Sequence, residues 1–146
     1  MGFDISKFER TNFVERTGEL RFPGLQVFFD EDEDPIFKVR GLTAEEIYSA
    51  KHDANKGKVL TEIVGKLSGG KDREKAAAIL EAMGMNDDAP AELIQIYSHL
   101  EQGLIEPKLT RPQVIRLARA FPIEVAQLNN LILELSGKGA IAEVKQ

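Results

Sequence analysis

The residues with the most chemical potential are few and scattered. Gly65, Gly70 and Lys71 reproduce the spacing of a phosphate-binding loop as far as the lysine. Asp72 then stands where that motif needs a Ser or Thr hydroxyl for magnesium, and the preceding segment has a helical stripe where a strand is required. A glycine-rich link between two helices is the reading adopted. His52, Asp53 and His99 could form an acid–base or metal-binding group, but a metal needs three or four convergent ligands. The chain has only these two histidines and no cysteine. Glu45-Glu46 and Asp87-Asp88 could pose as catalytic carboxylate pairs, yet both precede apolar helical stripes, where acids favour the helix dipole. No catalytic residue, metal or cofactor is therefore expected. Gly2 and Ser6 satisfy a myristoylation pattern, without the basic cluster that would make such an anchor hold.

The elements that must position these residues fall into two parts. Phe3, Phe8, Phe13, Phe22, Phe28, Phe29 and Phe37, seven of the eight phenylalanines, precede residue 38. Residues 1–17 form an aromatic arm in which Phe3, Phe8 and Phe13 recur every five residues among polar neighbours. That spacing suits docking on another surface better than a regular amphipathic element. Residues 18–137 form one domain. Its strand unit, residues 18–40, has expected strands at Glu19–Phe22, Leu25–Phe29 and Ile36–Arg40. Asp30, Glu31, Asp32, Glu33 and Asp34, followed by Pro35, mark a solvated turn between the last two.

From Thr43 the apolar period becomes helical, and residues 43–136 read as about five helices. Thr43 to Glu46 and Thr110 to Gln113 both fit capping boxes. The first helix extends to about Leu67 with a weak point at Asn55-Lys56-Gly57, and a second runs from Asp72 to Met83. A third follows Pro90 and is striped by Leu93, Ile96, Tyr97 and Leu100. Leu104–Leu109 is an extended connector. The last two helices meet at Pro122, with Val114, Leu117, Ala118 and Phe121 on one face and Leu128, Leu131, Ile132 and Leu135 on the next. Residues 138–146 are a flexible tail. The fold class expected is α+β, predominantly α: a small N-terminal antiparallel strand unit, then about five helices.

Charge narrows the partners. The net −5 of this 146-residue chain comes from 24 acids and 19 bases, so the pentad Asp30–Asp34 accounts for all of it. The balanced remainder offers no broad surface for nucleic acid or an anionic membrane. The pentad itself acts as a solubility turn. Arg111, Arg116 and Arg119 before the final helix make a helix-turn-helix regulator a rival reading, but residues 122–137 bring no cation to read bases or bind phosphate. With no apolar run long enough for a membrane span or a signal peptide, the chain is expected in the cytoplasm.

Five segments taken in order resemble the tail assembly chaperones of long-tailed phages and prophages: Ser6–Thr17, Phe37–Glu46, Leu104–Leu109, Leu117–Glu124 and Leu131–Gly137. The resemblance implies a non-enzymatic assembly factor that coats the tape-measure protein until tail-tube subunits polymerise around it. It also implies that a longer frameshifted product meets the tube subunits, and that the chaperone acts in the bacterial cytoplasm. A structural tail or head–tail component of the virion is the second reading. Partner contacts, self-association included, are expected from Phe3, Phe8, Phe13, Phe28 and Phe29.

Overall fold

The computed structural model describes residues 2–66, 74, 75, 78 and 91–142. The fold is α+β and predominantly α, with a small antiparallel sheet, as the sequence patterning predicts. No helix among the described residues is long and apolar enough to cross a membrane.

Strands β2 (Thr17–Arg21) and β3 (Ile36–Arg40) form an antiparallel hairpin in which Thr17 faces Arg40 and Arg21 faces Ile36. On β3 the alternation seen in sequence becomes alternation of burial: Phe37 and Val39 point into the core, while Ile36, Lys38 and Arg40 lie at its margin. A third strand, β4 (Leu104–Glu106), pairs with the other edge of β3, giving the order β2-β3-β4. The expected connector at Leu104–Leu109 is thus half strand. Its period-2 signal is too short to see in three residues, and the pairing becomes visible only once β3 lies beside it.

The expected strand at Leu25–Phe29 is corrected to a 3₁₀ helix, Pro23–Phe28. Pro23 supplies the fixed φ of a first helical position, and Leu25 N–H donates to Phe22 O at 2.9 Å. A 3₁₀ helix eclipses residues three apart, so Phe22, Leu25 and Phe28 fall on one ridge. Phe22 and Leu25 are buried, and Phe28 overhangs solvent.

Helix α2 (Ala44–Lys66) starts at the expected capping box. Glu46 N–H donates to Thr43 Oγ1 at 3.2 Å, and Thr43 N–H donates back to Glu46 Oε1 at 3.0 Å. The weak point anticipated at Asn55-Lys56-Gly57 does not interrupt it, because one internal glycine costs only about 1 kcal/mol. The expected second helix, Asp72 to Met83, and the glycine-rich link before it lie largely outside the described residues. Glu74, Lys75 and Ala78 are helical and exposed.

Helix α3 (Ala91–Gly103) buries Ile94, Tyr97 and Leu100. Helices α4 (Arg111–Ala120) and α5 (Pro122–Gly137) are separate, joined at Phe121. At the second capping box, Thr110 N–H donates to Gln113 Oε1 at 2.9 Å. Helix α5 is central: Val125, Leu128, Ile132 and Leu135 enter the same core as Phe37, Val39, Leu100 and Val114.

One terminal expectation is also corrected. Residues 138–146 are not wholly a flexible tail, because β5 (Ile141–Ala142) pairs antiparallel with β1 (Phe13–Val14). Within the arm, Ile5–Arg10 forms α1, which buries none of its residues and is capped by Asp4, whose side chain accepts from Lys7 N–H at 3.0 Å. Backbone bonding and not apolar burial decides both, so hydrophobic periodicity carries no trace of either.

Candidate functional site: an aromatic stack and an apolar groove

The five phenylalanines singled out from sequence separate into two groups. Phe3, Phe8 and Phe13 stack in series, with ring centroids 5.3 Å apart at each step and tilted by 54° and 47°. Tilted geometry of this kind suits the aromatic quadrupole. Their solvent exposure remains 75%, 51% and 51%. Ile5 on α1 and Val14 on β1 are exposed beside them in sequence, so the arm carries a run of apolar side chains outside the core.

Phe28 and Phe29 belong to the second group. They line an apolar groove of about 710 Å³ together with Leu25, Phe37, Leu109, Leu117 and Phe121. Phe28 is 71% exposed and meets Phe121 edge-on at 6.2 Å, forming one lip. Phe29 is half-buried and packs on Phe37 at 6.1 Å, forming floor. The 3₁₀ helix decides this division: Phe28 is its last residue, one turn beyond buried Leu25 on the same ridge, where that ridge leaves the core at the groove. Gln113, Arg116 and Ala120 of α4 line the opposite wall.

Asp30, Glu31, Asp32, Glu33 and Asp34 are all exposed in the loop that leaves the groove at Phe29. The loop is ordered by a residue that sequence reading did not single out. Gln26 Nε2 donates to Asp30 O at 3.1 Å and to Glu33 O at 2.9 Å, and Glu33 N–H donates to Asp30 O at 3.0 Å. A glutamine in a 3₁₀ turn gives no sequence signal for bonds that close a loop four to seven residues away. The hydrogen bond and negative charge of Asp30 raise the Glu33 carboxyl above its ordinary range, with Asp32 and Glu106 adding to it. Arg21 lies 3.8 Å from Asp34 across the start of β3, an exposed pair that screens little of this charge.

Among the described residues, those weighed for chemistry do not converge; Gly70, Lys71, Asp72, Asp87 and Asp88 lie outside them. His52 is exposed, while His99 is buried with its Nδ1 donating to Asn129 Oδ1 at 2.9 Å. Among the described residues no group of three His, Cys, Asp or Glu side chains could hold a metal ion. Glu46 pairs with Arg40 and caps α2. Arg111, one of the three arginines behind the helix-turn-helix reading, turns inward: its Nε donates to Glu101 Oε2 at 2.6 Å and its Nη2 to Ser98 Oγ at 2.8 Å. Asp53 joins that cluster, accepting from Ser98 Oγ at 3.2 Å. Helix α5, the candidate reading helix, directs Asn129 at His99 and its apolar stripe at the core.

The chain matches no protein-family model, no curated protein and no solved structure.

Proposed function

We propose that this chain is a tail assembly chaperone of a long-tailed phage or prophage, acting in the bacterial cytoplasm to bind and solubilise the tape-measure protein until tail-tube subunits assemble around it. The observation that carries the reading is the display of exposed aromatic side chains. Phe3, Phe8, Phe13 and Phe28 are 51% to 75% exposed on a body whose charges balance outside one loop. A tape measure is a long, mostly helical and apolar chain, so its chaperone needs several modest apolar contacts that can be released in turn, and not one deep, tight pocket. The groove beside Phe28 suits the apolar face of such a helix. The acidic loop at its edge would keep the coated complex dispersed.

Co-expression with the protein encoded immediately downstream tests the proposal. A long coiled-coil chain recovered in the soluble fraction only together with this protein supports it; equal solubility without this protein refutes it. Mass spectrometry of purified particles should find no copies of the chain, whereas a structural tail component would be present.

A further inference from the structure

The net charge of this chain is concentrated at the rim of its apolar groove. Asp30 to Asp34 account for all of the −5, and their loop leaves the groove at Phe29. Glu106 extends the acidic rim: its charge acts on the Glu33 carboxyl, and the next residue, Pro107, lines the groove. The acids are also held in place. Gln26 belongs to the same 3₁₀ helix that supplies the Phe28 lip, and its side chain donates to both Asp30 O and Glu33 O. A loop whose only task is to stay hydrated needs no such fixture. Hydrogen bonding to Asp30 and the charges of Asp30, Asp32 and Glu106 raise the Glu33 carboxyl, and a cation brought beside them relieves that crowding.

The groove sets the shape of its occupant. Its α4 wall runs from Gln113 to Phe121, about 12 Å at 1.5 Å of rise per residue. That is a little over two turns of a second helix, enough for apolar side chains at i, i+3 or i+4, and i+7. Among the described lining residues Arg116 alone is charged, and the rim acids outnumber it.

We propose that the groove holds an amphipathic helix of a partner protein whose apolar stripe is flanked by lysine or arginine, with the rim acids selecting the cations and the apolar walls supplying the affinity. This deepens the chaperone reading and rests on it for one point, that the helix is a segment of the tape measure. The division of labour follows from exposure. Ion pairs at an exposed rim contribute little each, so the rim discriminates between partners and speeds encounter, while buried apolar side chains hold the complex. Because charges elsewhere on the chain balance, the field that draws a basic helix is centred on this rim.

Three synthetic peptides of about 18 residues, long enough to form a helix, test the proposal by fluorescence anisotropy with the full-length chain. All carry the same leucine stripe and differ only in the residues flanking it, Lys, Gln or Glu, whose helix propensities are similar. At low salt the Lys-flanked peptide should bind about threefold more tightly than the Gln-flanked one, and the Glu-flanked peptide about threefold more weakly. The variant Asp30→Asn/Asp32→Asn/Glu33→Gln/Glu106→Gln should bind all three with the wild type's affinity for the Gln-flanked peptide. The ranking should also collapse for the wild type at 1 M salt, where charges act over only about 3 Å. Phe28→Ser and, separately, Ala120→Gln should weaken all three peptides about tenfold and preserve their ranking. Both positions are exposed, so far-UV circular dichroism of each variant should match the wild type. Equal affinity for the Lys- and Glu-flanked peptides overturns the inference. So does a ranking that survives in the amide variant, a pair of groove variants that bind like the wild type, or no binding of any peptide up to roughly 1 mM. Co-expression with the protein encoded downstream reads the chaperone function separately. Ranked peptide binding without solubilisation refutes the chaperone reading alone, and solubilisation without ranked binding refutes this inference alone.

Discussion

Glu46→Gln probes the contact that ties the sheet to the first long helix. Arg40, at the end of β3, grips the Glu46 carboxylate with Nη1 to Oε1 at 2.8 Å and Nη2 to Oε2 at 2.6 Å. The two side chains are 23% and 19% exposed. The Arg40 guanidinium lowers the Glu46 carboxyl from its ordinary 4.5 to about 2; burial opposes it, and hydrogen bonding to Thr43 adds to it. At about 1.4 kcal/mol per pH unit, that difference corresponds to about 3 kcal/mol. The folded value lies below the unfolded one, so the contribution is fully present above about pH 4.5 and is lost as pH falls toward 2. Glu46→Gln should therefore lower Tm at pH 7 by about 6–12 °C for a chain of this length. The gap between variant and wild type should narrow below pH 4.5 and nearly close at pH 2. Thermal unfolding followed by far-UV circular dichroism at pH 7, 4 and 2 measures both. Equal Tm values at pH 7 would show that the ion pair contributes nothing. A gap that persists undiminished at pH 2 would show that the cost lies in packing and not in charge.

Three further outcomes are expected. Gly103→Ala places a Cβ 2.7 Å from Cδ1 of Ile132 in the core, so it should destabilise by about 1–3 kcal/mol in urea unfolding, and adding Ile132→Val, which removes that Cδ1, should recover part of the loss. Asn129→Leu strips buried His99 of its acceptor and should cost about 1–3 kcal/mol in the same assay; an unchanged midpoint would mean that the pair is dispensable. Converting Asp30, Glu31, Asp32, Glu33 and Asp34 to their amides removes the net charge of −5, and should lower the solubility limit near pH 7 more than it weakens partner binding. A solubility limit equal to the wild type's would contradict that role for the loop.

Much of the helical body was legible in the residues alone. Thr43 to Glu46 and Thr110 to Gln113 announce helix starts because a cap is a local contract: its donors and acceptors lie within four residues, and the structure makes both boxes. The alternation of Ile36–Arg40 and the stripe of Leu128, Ile132 and Leu135 likewise report which face meets a core, since burial repeats with the period of the element. What misled was composition without period. Leu25–Phe29 is apolar enough for a strand, but Pro23 and the pull of Phe22 and Leu25 toward the core favour a 3₁₀ turn, and that turn ends with Phe28 at the groove.

The sequence by itself determined the fold class, the ends of most described helices, the solvated acidic loop and the concentration of aromatic residues near the start of the chain. Each of these depends on neighbours a few residues away, or on the cost of burying charge wherever it falls. Only the tertiary structure decided which aromatics act together. Phe28 meets Phe121 across most of the chain, Phe13 is held at the far end of α5 by pairing with Ala142, and Arg111 turns inward to Glu101 and Ser98. Those contacts join residues that no local rule relates, because long-range packing and strand pairing select among many partners that the sequence leaves equally open.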